Sequence, residues 1–240
     1  MAKLLRYEYK YLVPLHRIDD LREWIRPHVR TDCLAGNGTL PRYTVRSIYF
    51  DTPLLSDYTE KVEGYSKRKK IRLRGYNRPE GEGAMFFEIK RKRQAGIHKS
   101  RVKVGLADAR ALAPGQNGVC LNGGAPRGDG IATFQYYIHR ERLEPRLLVV
   151  YEREAYFDRF NNAIRLTFDQ NLRSRPCERV DHLFSEEGLV PALPDHFIFE
   201  VKFYRGIPLW VKECVTHFRL KHQALSKYVL GWDSQTAAAR

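Results

Sequence analysis

The chain has 240 residues, with 42 Lys and Arg against 28 Asp and Glu, a formal net charge of +14 and a pI near 9.7. Its hydrophobic fraction of 43% is enough for a real core, and the absence of any run of 18 apolar residues excludes a transmembrane helix. The positive charge implies an acidic partner, which could be nucleic acid, a phosphate-rich metabolite or an anionic membrane surface. The four cysteines are far apart and form no Cys-x-x-Cys pair, which argues against zinc and for reduced thiols in a cytoplasmic protein.

The first part of the chain predicts strands separated by short helices. Pro14 ends an alternating strand and suits the first turn of a helix, in which Leu15, Ile18, Leu21 and Ile25 follow helical spacing. Asp51-Thr52-Pro53 resembles the start of a second helix, with Thr52 as its cap. The predicted elements are a strand over 4–13, a helix over 14–29, a loop over 32–41, a strand over 42–50 and a helix over 54–61.

A basic strand over 66–76 opens a predicted antiparallel meander. Residues two apart on a strand point to the same side, so Lys70, Arg72 and Arg74 form a cationic row opposite Ile71 and Leu73. Turn-rich segments connect this strand to strands over 85–93 and 97–104.

The second half predicts a connector, further strands and a closing helix. The interval 115–130 is rich in glycine but lacks a Lys-Ser/Thr pair and a strand-to-helix setting, so a connector is favoured over a phosphate-binding loop. The predicted elements that follow are a helix over 131–143, strands over 146–159 and 162–170, an irregular segment over 179–194, a strand over 197–204, a helix over 209–218 and a short helix opened by Ala224-Leu225-Ser226-Lys227-Tyr228.

Four further strands repeat the separation of apolar and charged faces. A single basic strand is most often a solvated surface, but the repetition indicates one shared charged surface. A closed or nearly closed antiparallel barrel, with a wet charged interior and helices packed on its outside, accounts for the pattern. The charged positions of these four strands are Arg6, Glu8 and Lys10, then Glu88, Lys90 and Lys92, then Arg165 and Asp169, then Glu200 and Lys202.

Seven segments in order resemble the catalytic domain of the vacuolar transporter chaperone (VTC) family, within the triphosphate tunnel metalloenzyme (CYTH-like) superfamily. They are Glu8-Tyr9-Lys10-Tyr11, Ser47-Ile48-Tyr49-Phe50-Asp51-Thr52, Arg72-x-Arg74, Phe87-Glu88-Ile89-Lys90, Arg165-Leu166-Thr167-Phe168-Asp169, Phe199-Glu200-Val201-Lys202 and Leu225-Ser226-Lys227-Tyr228. The resemblance implies an α+β fold with an antiparallel barrel tunnel as a single domain over 1–240. It also implies a polyphosphate polymerase, a phosphotransferase that moves the γ-phosphate of ATP onto a growing chain with Mn²⁺ or Mg²⁺.

The resemblance has two limits. It does not extend to the regulatory (SPX) domain and membrane helices of the eukaryotic relatives, so it implies nothing about regulation by inositol phosphates or translocation through a membrane. The superfamily signature Glu-x-Glu-x-Lys is here Arg6-x-Glu8-x-Lys10, so a metal site built from two N-terminal carboxylates is not expected.

The chemistry of phosphoryl transfer assigns roles to the charged residues, since it requires positioning and charge neutralisation more than covalent work. Arg72 and Arg74 are expected to bind phosphates in bidentate fashion and to stay charged. Glu200 is the first metal-ligand candidate, because divalent cations take carboxylates plus phosphate oxygens. Glu8 and Glu88 follow as metal candidates, although pairing with neighbouring cations is favoured for both. The remaining phosphate-binding candidates are Lys10, Lys70, Lys90, Lys99, Arg101, Arg153, Arg165, Lys202, Ser226 and Lys227.

Two alternatives stay open beside the polymerase with its ATP and polyphosphate substrates. One is a hydrolase of triphosphate or nucleoside triphosphates in the same fold, and the other is a non-catalytic binder of polyanions. Nucleic-acid binding is disfavoured because the aromatics alternate onto the face opposite the basic row. Tyr7, Tyr9 and Tyr11 are expected to pack against helices, and Tyr49 and Phe50 to belong to the core.

Overall fold

Residues 6–32, 42–77, 85–93, 96–112 and 129–238 are described by a computed structural model of the chain. The strands are β1 (Tyr7–Pro14), β2 (Val29–Thr31), β3 (Arg42–Asp51), β4 (Arg68–Tyr76), β5 (Met85–Arg93), β6 (Gly96–Val104), β7 (Glu144–Asp158), β8 (Arg165–Pro176), β9 (Val190–Pro191) and β10 (His196–Phe203). The α-helices are α1 (Ile18–Ile25), α2 (Ser56–Val62), α3 (Leu106–Leu112), α4 (Asp129–Glu141), α5 (Leu209–His217) and α6 (Lys227–Ala238). The predicted fold class, α+β with an antiparallel sheet and helices packed against it, is confirmed.

The chain divides into two compact units. The first unit contains Met1–Thr44, Tyr151–Leu172 and Pro191–Ser226, and the second contains Val45–Val150, Arg173–Val190 and Lys227–Arg240. The strands β3, β7 and β8 each continue along the chain from one unit into the other. A single domain over 1–240 therefore stays a prediction.

In the first unit, β10 lies between β1 and β8 in antiparallel register. Alternate residues of these strands, including Tyr11, Phe168 and Phe199, are buried in one core together with residues of α1 and α5. The opposite face of the same strands carries the charged positions, since successive side chains point to opposite sides. The prediction that these tyrosines pack on the helix side is confirmed for Tyr9 and Tyr11, but it is wrong for Tyr7, which is 42% exposed.

In the second unit, the antiparallel order is β3-β4-β5-β6. Ile71, Leu73, Phe87 and Ile89 are buried with apolar residues of α3 and α4 in a separate core, so the cationic row of β4 lies on the opposite face. Gly75 is needed for close packing, because a Cβ atom there would lie 2.7 Å from the ring of Phe184.

The second unit also holds α2 and α6 against its strands. The Asp51 carboxylate accepts hydrogen bonds from the backbone of Thr52, Asp57 and Tyr58, and from the Tyr228 hydroxyl of α6 at 2.7 Å. These bonds satisfy amide groups that the first turn of a helix leaves without a partner. At Gly231 of α6, an added Cβ would lie about 3.1 Å from Leu147, Ser174 and Val149, so this helix lies unusually close to its neighbours.

Several predicted element boundaries are wrong for identifiable reasons. The first helix ends at Ile25 because Pro27, which has no backbone N–H, follows it. The second helix begins at Ser56 and not at Leu54, and its cap residue is Leu55 and not Thr52; Asp51 binds its amides and the Thr52 hydroxyl accepts from the Ser56 amide. The closing helix α6 has 12 residues, so the prediction of a short helix is wrong.

Two further points concern segments between the predicted elements. The helix α3 was not predicted, although Leu106, Ala109 and Leu112 show three-residue spacing. Most of the predicted glycine-rich connector over 115–130 lies outside the described residues. Cys177 and Cys214 are buried free thiols, and the other two cysteines also lie outside the described residues.

Candidate functional site

The charged face of the second unit converges on one carboxylate, that of Glu88 on β5. Strand register places Glu88 between Arg72 of β4 and Arg101 of β6. Arg72 donates two hydrogen bonds to Glu88 at 2.8 and 2.6 Å, and Lys99 Nζ lies 3.1 Å from the other oxygen. Arg74 and Arg101 lie 3.6 and 3.5 Å from the same carboxylate. Glu88 is 2% exposed, so four cations share one buried anion.

The electrostatics of this group follow from its burial and its charge excess. Burial alone would raise the pKa of Glu88, but Arg72, Arg74 and Lys99 hold that pKa far below the usual carboxyl range. Burial lowers the pKa of Lys99, and Arg72 and Arg74 lower it further against the attraction of Glu88. We call Arg72, Arg74, Glu88, Lys99, Arg101 and Lys227 the β4–β6 cluster.

Lys227 joins this cluster through Tyr49 on β3. Arg72 Nη1 donates a hydrogen bond to the Tyr49 hydroxyl at 3.1 Å, and the Tyr49 ring stacks on Tyr228, whose centroid is 5.0 Å away. Burial would raise the pKa of Tyr49, but Arg72, Arg74 and Lys227 lower it on balance. Three predicted cations from β4 and α6 therefore act on a single phenol.

Two more predicted lysines follow the same face of the second unit. Strand register pairs Lys70 of β4 with Lys90 of β5, and Lys90 with Lys99 of β6. Side chains of directly paired residues lie on one side of an antiparallel sheet. The register thus places a row of lysines beside the row formed by Arg72, Glu88 and Arg101.

The charged face of the first unit centres on Glu200 of β10. Lys10 Nζ lies 2.9 Å from Glu8 and 3.8 Å from Glu200, and it donates a hydrogen bond to the Leu225 carbonyl at 3.2 Å. Lys202 is in direct contact with Glu200. Burial lowers the pKa of Lys202 well below its usual range, and the nearby cations Arg153 and Lys10 add to this effect against the carboxylates Glu8 and Asp169.

Two arginines of the first unit are each bound by a carboxylate of their own. Arg153 donates two hydrogen bonds to Asp169, at 2.5 and 2.7 Å. Burial alone would lower the pKa of Arg153, but Asp169 raises it well above the usual value. Arg165 donates to Asp32 at 2.8 Å and to the Tyr43 hydroxyl at 3.3 Å. We call Glu8, Lys10, Arg153, Arg165, Glu200 and Lys202, with their partners Asp32 and Asp169, the β1–β10–β8 cluster.

Ser226 ends the first unit immediately before α6. It is 5% exposed, and Lys227 follows it as the first residue of α6. The preceding segment is fixed to β1, because the Gln223 amide donates to the Lys10 carbonyl at 2.9 Å. The main chain and side chain of Lys10 therefore both hold residues just before Ser226.

The donor set around Glu200 fits a divalent cation of the kind that the VTC resemblance implies. Glu200 is 3% exposed, and the directly opposite residue, Thr167, has a buried hydroxyl with no hydrogen-bond partner among the described residues. Within the described part of the chain, no group of three or more His, Cys, Asp or Glu side chains is placed to hold a metal. Mg²⁺ and related cations are commonly held by one or two carboxylates plus substrate phosphates, so a single carboxylate suffices.

Three residues at these sites were missed by sequence reasoning. Tyr49 was assigned to the core, but its hydroxyl lies among the predicted cations. The alternation of β3 carried the signal, since Tyr49 and Ser47 share one face and Ile48 and Phe50 the other. Asp32, which binds Arg165, lay in a predicted loop and had no periodic signal, whereas Tyr43 lies on the face of β3 that also carries Ser47 and Tyr49.

The fold and the two clusters define a mainly antiparallel α+β protein whose strands carry cation-rich faces. The family model described as the VTC domain matches residues 5–235, so the chain belongs to the VTC domain family and the predicted resemblance is confirmed. No helix in the described ranges has both the length and the apolar character that crossing a membrane requires.

Comparison with solved structures finds more distant likenesses. The putative adenylyl cyclase HpAC1 from Hippeastrum, reported to have a dominant triphosphatase activity, aligns with a TM-score of 0.47 and 10% identity over 95% of each chain. The Mimivirus capping enzyme triphosphatase aligns with a TM-score of 0.31 and 9% identity over 88% of each chain. At these scores neither likeness carries an argument about function. No curated protein matches the chain.

Proposed function

We propose that the protein is a polyphosphate polymerase, which transfers the γ-phosphate of ATP to the end of an inorganic polyphosphate chain and releases ADP. The β4–β6 cluster carries the proposal, because four cations contact the carboxylate of Glu88 and Lys227 acts with two of them on Tyr49. Among its described members the cluster has five cations and one carboxylate, so it favours a polyanion. Membership of the VTC domain family supports the same reaction.

The chemistry requires no proton transfer from the acceptor. A terminal oxygen of the polyphosphate chain, which is already anionic, attacks the γ-phosphorus of ATP. The bond from that phosphorus to the β,γ-bridging oxygen breaks, and ADP leaves. Arg72 and Arg74 would bind the phosphoryl oxygens, and bidentate guanidinium contacts suit the planar arrangement of such oxygens. Lys99, Arg101 and Lys227 would neutralise the charge of the neighbouring phosphates.

The β1–β10–β8 cluster is assigned to phosphate and metal binding. Glu200 would hold a Mn²⁺ or Mg²⁺ ion, which neutralises charge on phosphate oxygens when bound. Lys10 and Lys202, which contact Glu200, would then be released to phosphate. Arg153 and Arg165 would contribute from β7 and β8, and Ser226 from the residue before α6.

The remaining predicted positions complete the proposal. Lys70 and Lys90 would extend the phosphate contacts along β4 and β5, and Glu8 and Glu88 would hold cations in place more than ligate metal. We place the enzyme in the cytoplasm, where ATP and reduced thiols occur together, and expect no nucleic-acid partner.

The test is incubation of the purified protein with ATP and Mn²⁺ or Mg²⁺, with product length read on a gel and ADP and free phosphate measured in parallel. The polymerase produces ADP together with a ladder that an exopolyphosphatase digests. Free phosphate without polymer under either metal would overturn the proposal in favour of a triphosphate hydrolase. Salt-sensitive binding with neither product would indicate a polyanion-binding protein.

A further inference from the structure

Tyr49 occupies an unusual position for a core tyrosine, because its ring is buried and its hydroxyl lies among cations. The residue is 4% exposed and stacks on Tyr228. The Arg72 guanidinium carbon lies 5.8 Å from the centroid of the Tyr49 ring, and Arg72 Nη1 donates to its hydroxyl at 3.1 Å. Ring packing therefore fixes the direction in which the hydroxyl points.

The hydrogen of this hydroxyl is not used in the bond to Arg72. A guanidinium has only donors, so Tyr49 is the acceptor in that bond and its own O–H needs a different acceptor. Within the described residues, the Tyr49 hydroxyl makes one hydrogen bond, the one that it accepts from Arg72. The surrounding groups are Arg72 and Arg74, with Lys227 acting on the phenol from α6.

We propose that the Tyr49 hydroxyl donates a hydrogen bond to a phosphate oxygen held by Arg72 and Arg74, and so is a phosphate-binding residue. The inference rests on the proposed function, since it assigns a further contact to the same site. A phosphate oxygen is an acceptor without hydrogens, which is the partner that a phenol surrounded by donors lacks. The cations around Tyr49 make its O–H a stronger donor, because they favour the developing negative charge on its oxygen.

The first experiment compares Tyr49→Phe with Tyr137→Phe in tripolyphosphate binding by calorimetry, using the full chain without metal or ATP. Tyr137 is the matched control, since its hydroxyl also accepts from an arginine, Arg91 at 3.5 Å, but its side chain packs against the apolar core of the second unit. Loss of a hydrogen bond to a charged acceptor should weaken binding by Tyr49→Phe about tenfold, equivalent to about 1.4 kcal/mol. Binding by Tyr49→Phe equal to that of wild type would overturn the inference.

A double-mutant cycle separates contact with phosphate from positioning of Arg72. The affinity of Arg72→Ala is compared with that of the Arg72→Ala, Tyr49→Phe double variant. If Tyr49 contacts phosphate itself, its substitution still weakens binding in the Arg72→Ala background. An effect that disappears in this background would show that Tyr49 acts only by holding Arg72, and the inference would fail.

The ultraviolet absorbance of tyrosinate gives a readout that a purely structural role would not change. The groups facing Tyr49 are Arg72 and Arg74 of β4, with Glu88 and Lys99 beyond them, and Lys227 and Tyr228 of α6. One tyrosine should ionise below the usual pKa in wild type and be missing from the titration of Tyr49→Phe. Bound tripolyphosphate should move that ionisation to higher pH, because a neighbouring anion disfavours the phenolate. An ionisation that tripolyphosphate does not move would contradict the contact.

The binding measurements are independent of turnover, so this inference and the proposed reaction can fail separately. Tyr49-dependent tripolyphosphate binding without any polymer from ATP would preserve the contact and remove the polymerase. Polymer formation together with wild-type binding by Tyr49→Phe would preserve the polymerase and remove the contact.

Discussion

The two charged clusters of this protein use carboxylates in opposite ways. In the β4–β6 cluster one carboxylate, Glu88, contacts four cations. In the β1–β10–β8 cluster four carboxylates face four cations: Lys10 pairs with Glu8 and also lies 3.8 Å from Glu200, Lys202 contacts Glu200, Arg153 pairs with Asp169 and Arg165 with Asp32.

This difference in the ratio of carboxylates to cations suggests that one cluster mainly stabilises the fold and the other mainly binds a ligand. A buried cation that is paired with a carboxylate is already neutralised. Removing that carboxylate leaves an uncompensated charge inside the protein. Cations that share one partner keep a net positive potential, which an external anion can satisfy. We therefore expect the paired cluster to respond mainly in stability and the sharing cluster mainly in ligand binding.

The largest expected effect is the loss of stability in Asp169→Asn, which removes the partner of buried Arg153. Breaking a buried ion pair costs about 3–5 kcal/mol, so the free energy of unfolding should fall by that amount in urea denaturation. The control is Asp19→Asn, whose side chain pairs with Arg22 at 82% exposure and should change stability by less than about 1 kcal/mol. Equal effects of the two variants would contradict the expectation that the buried pair of Arg153 and Asp169 stabilises the fold more than an exposed pair does.

Arg74→Ala should instead act on the reaction. Removing one preorganised donor for transition-state charge typically costs about 100-fold in kcat, so polymer formation from ATP should fall by about that factor. Arg74→Lys should restore only part of the loss, since lysine keeps the charge but not the planar fork. Arg179→Ala is the control, because this arginine is 61% exposed and pairs with Asp181. A near-normal rate for Arg74→Ala would remove this arginine from the site.

Glu88→Gln tests the sharing cluster directly. Loss of the shared anion should destabilise the protein by about 2 kcal/mol, because hydrogen bonds to charged groups contribute about 1.5–3 kcal/mol each. Tripolyphosphate should then raise the melting temperature of the variant more than that of wild type, since the ligand supplies the missing negative charge. A ligand-induced shift in Glu88→Gln no larger than that in wild type would contradict the expectation that the ligand replaces the negative charge of Glu88.

The pH dependence of this variant follows from the lowered pKa of Glu88. A carboxyl group whose pKa is lower in the folded than in the unfolded state stabilises the fold above its unfolded value. That contribution is lost as the pH falls through the unfolded value towards the folded one. Wild type and Glu88→Gln should therefore differ at neutral pH and converge in stability in strong acid, as measured by urea denaturation.

The smallest expected effect is that of Arg101→Ala. The Arg101 side chain is 40% exposed and its ion pair with Glu88 is 3.5 Å long, so solvent screens its charge. Tripolyphosphate affinity should fall only about threefold, within the 1 kcal/mol that exposed pairs contribute, and the salt dependence of binding should become slightly shallower. If Arg101→Ala lowered tripolyphosphate affinity as much as Arg74→Ala does in the same assay, the exposure of these side chains would not determine their contribution to binding.

Alternation in the sequence predicted which side chains share a face but not which of them form pairs. Lys70, Arg72 and Arg74 were placed on one side of β4 because the strand period is two, and the structure confirms this. The sharing of Glu88 depends on the register of three strands, which their own sequences do not determine. The role of Asp32 was not predicted for a different reason, since it contacts Arg165, which is far from it in sequence.

Close packing at Gly231 affects the position of a cationic side chain one turn away on the same helix. A methyl group at this residue would press on Leu147, Ser174 and Val149, so either these side chains or α6 would have to shift by a few tenths of an ångström. Lys227 lies one turn earlier on the same helix, so a shift of α6 would move Lys227 with it. Because Gly231 has no side chain, α6 can lie close to Leu147, Ser174 and Val149. That closeness helps to set the position from which the Lys227 side chain extends.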